Sequence, residues 1–342
     1  MTTQSSPYSH PDQPVRHSYP LAVKTEGVST AISLCMQTMP YFLLRLGILT
    51  AFAIGAIIWL AICGGIAALF ASKDGGGGGL ILFLLAVGVP GGVYGFLRHY
   101  VLYILKLGHI AVLTILITDG KLPDGVNQVE YGKKIVLERF GEINTLLVLD
   151  SLITGVVRAF NRTLDWVASL IPIPGLDGLV RVVEAVVRNA TTYIDETVFS
   201  YNLARGDENV WRSSSDGLVY YGQNVKPVLK TAVIGLVMEY VLSLAAFIVF
   251  LIPAALISHI LPAAVSGFAW IIAVILALTV RSAFLNPVFL TMVTLTFHVN
   301  VQNQAIDQNM AEKLASMSDK FRQLAEKAKN YVSGSKPATT AT

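Results

Sequence analysis

Charged side chains are scarce in this chain of 342 residues, where they make up 14% of the sequence. Ordinary soluble proteins carry about a quarter charged residues, so most of this chain lacks the charge that keeps a folded surface in water. Hydrophobic residues reach 54%, and the mean hydropathy is +0.60. The composition therefore predicts a membrane protein.

Basic and acidic residues are nearly balanced, at 25 and 22, and no dense basic block stands out. Proteins that bind a nucleic-acid backbone need such a block, so nucleic acid is not an expected partner. Cysteine is scarce as well, because Cys35 and Cys63 are the only two and lie 28 positions apart. That separation is roughly 40 Å along a helix, too far for an intrachain disulfide.

Patterns that carry catalysis or bind metal are missing. The six histidines form no pair at close helical spacing, and the two cysteines have no zinc spacing. No Gly-x-Ser-x-Gly motif or comparable nucleophile pattern is found. The sequence therefore predicts no enzyme activity, no metal and no cofactor.

Four apolar runs approach or exceed the length of about 20 residues that a bilayer crossing takes. Pro90, beside two glycines in the second run, predicts a kink there. A short turn joins the third run to the fourth. The fold class predicted is an all-α polytopic membrane protein with about four transmembrane helices in two hairpins plus interfacial amphipathic helices. The runs cover residues 46–70, 80–97, 231–257 and 263–280.

Basic residues lie mostly on one side of these four runs. The turns after the first and third runs hold a single lysine, Lys73. By the positive-inside rule, both termini and the middle region are cytoplasmic. The chain then divides into a disordered tail (1–28), a first membrane hairpin with flanking helices (29–118), cytoplasmic or interfacial amphipathic helices (119–229), a second hairpin with an interfacial segment (230–298), and a C-terminal heptad helix with a tail (299–342).

A narrow charged stripe marks one of two amphipathic helices predicted in the middle region. Arg181, Glu184, Arg188 and Asp195 follow one another in steps of three, four and seven, which places them on one helical face. Two interpretations stay open. Either the stripe faces the cytoplasm as solvated ion pairs, or it lines a polar vestibule beneath the spans. Residues 143–171 show a similar stripe, typical of a helix half sunk at the membrane interface or packed under the spans.

The third apolar run contains one acidic residue, Glu239. A lone carboxylate inside a membrane span costs on the order of 2–3 kcal/mol unless it is paired or neutral. With Tyr240 beside it, and Phe268 and Trp270 on the next run, the carboxylate predicts a candidate site for a quaternary ammonium held by charge and cation–π attraction. The alternative is a protonated Glu239 that hydrogen-bonds to a neighbouring helix and stabilises the bundle.

The segment before the third run carries capping and interface signals. One of Ser213–Ser215 is a candidate cap for a short helix that ends before Pro227. Tyr220 and Tyr221, together with Trp211, suit an aromatic belt at the membrane interface.

Apolar residues recur in steps of four and three near the C-terminus, with Lys and Glu between them. This seam of three heptads predicts a coiled-coil-like helix with a narrow apolar edge. The edge has two possible roles. It mediates self-association, which makes the protein a homo-oligomer, or it packs as a strut against the interfacial helices. It consists of Leu314, Met317, Phe321, Leu324, Ala328 and Tyr331.

The middle region resembles the C-terminal half of the choline transporter-like family. The resemblance rests on the segments VVRNATTYI (186–194) and SSSDGLVYYGQNVKPVLKTAVIGLVMEYVLSLAAFIVFL (213–251). In that family an Asn-Arg-Asn-Ala-Tyr element precedes a small amphipathic helix and a span with an acidic residue. Asn189, Ala190 and Tyr193 fall on the element, and Glu239 falls near the acid.

Two classes of function follow from these observations. The resemblance and the Glu239 site imply a permease-like transporter of a small amphiphilic cation such as choline. The alternative is a non-transporting membrane scaffold or assembly protein that acts through its interfacial and C-terminal helices. The lipid bilayer is the expected partner in both cases.

Overall fold

The computed structural model describes residues 19–71, 77–141, 143–162, 191–260 and 268–331. Arg181, Glu184 and Arg188 of the charged stripe lie outside these residues. All the long regular elements within them are helical. They are α1 (Val28–Gln37), α2 (Met39–Ala71), α3 (Gly77–Thr118), α4 (Gln128–Phe140), α5 (Ile143–Arg162), α6 (Ile194–Arg205), α7 (Val210–Gln223), α8 (Val225–Ile260), α9 (Phe268–Val280), α10 (Asn286–Val301), α11 (Gln308–Met317) and α12 (Asp319–Lys329), with a π-helical turn (Arg281–Leu285) between α9 and α10.

Four helical stretches are long and apolar enough to cross a membrane. The protein is therefore an all-α polytopic membrane protein, as its composition predicts. A fifth crossing is present if α4 and α5, which meet at 82°, form one broken span. The first and third predicted runs fall within α2 and α8. The four stretches are Met39–Ala56, Gly92–Thr118, Val225–Leu256 and Ala273–Val301.

The second predicted run ends too early, because α3 continues from Gly77 to Thr118 past the charge of Arg98. Large apolar side chains along α3 are exposed as far as Ile104, and nearly all side chains from Leu105 to the end of the helix are buried. Lipid-facing and protein-buried stretches are equally apolar, so hydropathy does not mark the change between them.

The fourth predicted run also ends too early, because the apolar stretch that it enters continues to Val301. α9 passes through the π-helical turn into α10, which reaches Val301. Pro287, in the first turn of α10, has no N–H to donate to the carbonyl of Ala283. The missing bond accounts for the wider turn before it. α10 is buried on every side from Phe289 to His298.

The chain forms two compact units. The packed unit comprises residues 1–38, 108–242 and 285–342, and the apolar unit comprises residues 39–107 and 243–284. In the packed unit, α6 packs on α7 and α10, α1 packs on α10, and α12 packs on α5 and α7. In the apolar unit, α9 packs on α2, and Tyr94 donates a hydrogen bond to the carbonyl of Phe52.

The turn between α6 and α7 is built from specific capping residues. Gly206 ends α6 in the left-handed conformation that glycine adopts without strain, at φ 67°. Asn209 caps α7 by accepting from the Arg212 N–H at 3.0 Å. The predicted serine cap is therefore wrong, since Ser213–Ser215 lie inside α7 and are buried. The predicted end of this helix before Pro227 is confirmed.

Small residues in α7 let α6 approach closely. A side chain at Gly217 would lie 3.0 Å from Cδ1 of Tyr201, so the tyrosine ring rests on the α7 backbone. Tyr220 and Tyr221 are also buried within the packed unit. The predicted interfacial belt is therefore wrong for these two tyrosines. An aromatic ring finds apolar surroundings in a protein as well as in lipid, so the sequence alone does not distinguish the two.

The C-terminal seam forms two helices. Ser318 interrupts it, and its hydroxyl accepts from the Phe321 N–H at 3.3 Å as the cap of α12. Leu314, Phe321 and Leu324 are buried, and α12 packs against α5 and α7. The apolar edge therefore lies against helices of the same chain, as the strut interpretation expects.

Residues 19–27, assigned from composition to a disordered tail, are held by specific bonds. The N–H groups of Ala22 and Val23 donate to the carbonyls of Ile117 and Thr118 at 2.9–3.1 Å. These carbonyls are among the last of α3 and have no partner within their own helix. The segment therefore caps α3, while residues 1–18 of the predicted tail lie outside the described residues.

Candidate functional site

The predicted cation site has its carboxylate and its aromatic rings in different surroundings. Glu239 is 5% exposed, whereas Tyr240 is 63% and Trp270 is 47% exposed. Successive residues on a helix point about 100° apart, so the burial of Glu239 does not extend to its neighbour. The candidate site for a quaternary ammonium at Glu239, Tyr240 and Trp270 stays a prediction.

Glu239 continues a buried face of α8 that packs against α10. Thr231 Oγ1 lies 2.9 Å from Thr296 Oγ1. One turn later, a Cβ on Gly235 would overlap the ring of Phe289. Glu239 follows Gly235 by one further turn and therefore lies on the same face. The sequence predicts an acid in a span, and the structure buries it within the protein.

The charged stripe is represented in the described residues by Asp195 alone. Asp195 lies in the first turn of α6 and is half-buried. An acidic residue there is favoured by the partial positive charge of a helix N-terminus. The choice between a solvated stripe and a vestibule stays open, because Arg181, Glu184 and Arg188 are not described.

A buried chain of hydrogen bonds crosses the packed unit and joins four of its segments. The Tyr19 hydroxyl lies 2.6 Å from His298 Nδ1, and His298 Nε2 lies 2.7 Å from Ser200 Oγ. Ser200 Oγ lies 2.6 Å from Thr114 Oγ1, which donates to the Ile110 carbonyl at 2.7 Å. These hydrogen bonds connect the N-terminal segment to α10, α6 and α3.

The direction of these bonds follows from the number of protons available. Thr114 gives its one proton to a carbonyl, so it accepts from Ser200. Ser200 has then used its own proton and accepts from His298 Nε2. His298 in its neutral form keeps Nδ1 as an acceptor for the Tyr19 hydroxyl. Every donor in this series of hydrogen bonds therefore has one acceptor. Burial raises the pKa of Tyr19, which keeps the phenol protonated.

The serine and the histidine are adjacent, as a catalytic nucleophile and its base are. The direction of their hydrogen bond is the opposite of the one that catalysis needs. His298 donates to Ser200 and is therefore unable to accept its proton. Ser200 and His298 are also fully buried. The geometry provides a structural connection between helices.

A second polar cluster lies at the turn between α6 and α7. Arg205 contacts the carboxylates of Asp207 and Asp216, and Arg139 Nε donates to Asn202 Oδ1 at 2.9 Å. Burial raises the pKa of the Asp216 carboxyl, while the Arg205 guanidinium opposes that shift. The cluster fixes the end of α4 to this turn.

Sequence patterns do not reveal the hydrogen-bond chain. Its members are separated by 279, 98 and 86 positions, so no helical spacing brings them to notice. The position of a histidine within an apolar segment is the only signal that the sequence offers at His298.

Comparisons with protein-family models, with curated proteins and with solved structures find no match for this chain. Within the described residues, no group of three His, Cys, Asp or Glu side chains is placed to hold a metal ion.

Proposed function

We propose that the protein is a non-transporting membrane scaffold, whose spans anchor the chain and whose packed unit offers a fixed helical surface for assembly. The hydrogen-bond chain from Tyr19 to Thr114 supports this proposal best. Transporters rock or gate one group of helices against another in each cycle. Buried hydrogen bonds that connect three helices and the N-terminal segment, with every proton used, oppose such motion within the packed unit.

The C-terminal helices fit the scaffold proposal as an internal strut. Their apolar edge packs on α5 and α7, so self-association through the same edge requires the helices to detach. We propose that the exposed polar side of α11 and α12 is the part available to partners. It includes Glu312, Lys313, Arg322 and Glu326.

A second candidate function, a permease for a small amphiphilic cation such as choline, draws support from Glu239. A carboxylate that is 5% exposed within a span is of the kind that marks ion and substrate pathways. The resemblance to the choline transporter-like family points the same way.

Uptake into proteoliposomes separates the two candidates. Because the scaffold has no transport cycle, we expect labelled choline to enter protein-containing vesicles no faster than protein-free vesicles. Glu239→Gln, which keeps the shape of the side chain, should give the same background rate. Saturable uptake that Glu239→Gln abolishes would overturn the scaffold proposal in favour of the permease.

We also propose that both termini and the middle region face the cytoplasm, on the basis of the basic residues. Single cysteines at Gly77 and Ser258 should then react with an impermeant thiol reagent from outside, and cysteines at Ser333 and Gly206 should not. The native cysteines are buried, and burial raises the pKa of Cys35 to about 11, which keeps it poorly reactive. Labelling of Ser333→Cys in intact cells would contradict this topology.

A further inference from the structure

The first half of α8 has two faces of opposite character. Its buried face carries Val225, Val228, Leu229, Ala232 and Glu239. Its outer face begins with two exposed lysines and continues with exposed apolar side chains that recur every turn. In order, the outer face consists of Lys226, Lys230, Val233, Ile234, Val237, Tyr240 and Val241.

The two lysines have no acidic partner in the part of the chain that the structure describes. The ion pairs of Lys134, Arg205 and Arg322 do not include Lys226 or Lys230. The two lysines are four residues apart and therefore about 6 Å apart along one side of the helix. Two ammonium groups at this spacing attract a single anionic group.

The apolar part of this face has the length of one lipid leaflet. Half of a bilayer's hydrocarbon core is about 15 Å thick, which corresponds to about ten residues of helix. Counted from Lys230, ten residues end at Tyr240. Between them Val233, Ile234 and Val237 are exposed, so the face offers a charged end and an apolar track of matching length.

We propose that this face of α8 is a binding site for an anionic phospholipid, whose phosphate lies between Lys226 and Lys230 and whose acyl chain lies along Val233, Ile234 and Val237. Charge complementarity selects the headgroup, because lysines at the end of a span attract anionic lipids. The apolar track distinguishes a lipid from a free phosphate. The site is independent of the proposed scaffold function.

Lipid selectivity of the purified full-length protein tests the site. In neutral detergent, binding of phosphatidylglycerol and phosphatidylcholine with identical acyl chains is measured by native mass spectrometry. A juxtamembrane lysine contributes about fivefold to anionic lipid affinity, so the wild type should prefer phosphatidylglycerol by about 25-fold. Lys226→Gln/Lys230→Gln should bind both lipids equally, and Lys226→Arg/Lys230→Arg should keep most of the preference.

A matched control removes the same charge elsewhere. Lys24 and Lys329 are exposed, and neither begins an apolar track. Lys24→Gln/Lys329→Gln should keep the 25-fold preference. The proposal is overturned if this control loses the preference as fully as Lys226→Gln/Lys230→Gln, or if that variant keeps it. Equal binding of soluble glycerol phosphate would also overturn it, because the lipid chain would then contribute nothing.

Discussion

Replacing Gly235 with alanine is expected to destabilise the packed unit by about 3 kcal/mol, because excess volume in a packed core costs up to this amount. A Cβ at this position would overlap Cε1 and Cδ1 of the Phe289 ring. The ring is buried and has little room to turn away, so α8 and α10 must separate. The thermal midpoint of the purified protein in detergent measures the loss.

Gly47→Ala in α2 is the matched control for this substitution. A Cβ there meets nothing within 4 Å, so the midpoint should stay constant or rise slightly through the better helix propensity of alanine. Gly235→Ala combined with Phe289→Ala should cost less than the sum of the two single substitutions, since the added methyl group no longer meets the ring. A midpoint for Gly235→Ala equal to that of Gly47→Ala would show that the two helices do not touch at this point.

Ser200→Ala is expected to cost about 2 kcal/mol of stability, because it leaves the His298 Nε2–H without an acceptor inside the protein. It also removes the donor to Thr114. Both groups stay buried, so water does not replace the lost bonds. The thermal midpoint in detergent again provides the measurement.

Ser213→Ala separates the hydrogen bonds from the burial of a hydroxyl. Ser213 is as fully buried as Ser200, but within the described residues its Oγ makes no hydrogen bond. Removing it should be neutral or slightly stabilising. If Ser200→Ala and Ser213→Ala shift the midpoint equally, the chain from Tyr19 to Thr114 contributes nothing specific to stability.

Hydropathy predicts α2 and α8 well but not where α3 and α10 leave the lipid. Both kinds of surroundings exclude water, and a side chain such as Leu113 in the protein interior has the same composition as Leu84 on an exposed face. Charge is an equally poor guide to where these helices end, since Arg98 lies within α3. Only the tertiary partners of a helix distinguish the two cases.

Polar contacts were predictable only where they are local. An acid within a span is visible in the sequence at Glu239, but the sequence does not show that this side chain is buried. The sequence predicts a serine cap for α7, whereas Asn209 is the cap, because both residue types cap helices and several lie close together here. The pairing of Tyr19 with His298 involves no local pattern at all.

The same pairing has a consequence for the order of events during synthesis. Tyr19 leaves the ribosome 279 positions before His298, which is on the order of 15–60 s at ordinary translation rates. The end of α3 lacks α6 until residue 205 has been made, and it lacks α10 until almost the end of the interval. Its apolar surface must wait in lipid or on a chaperone, and the Tyr19 hydroxyl gains its partner only after nearly the whole chain has been made.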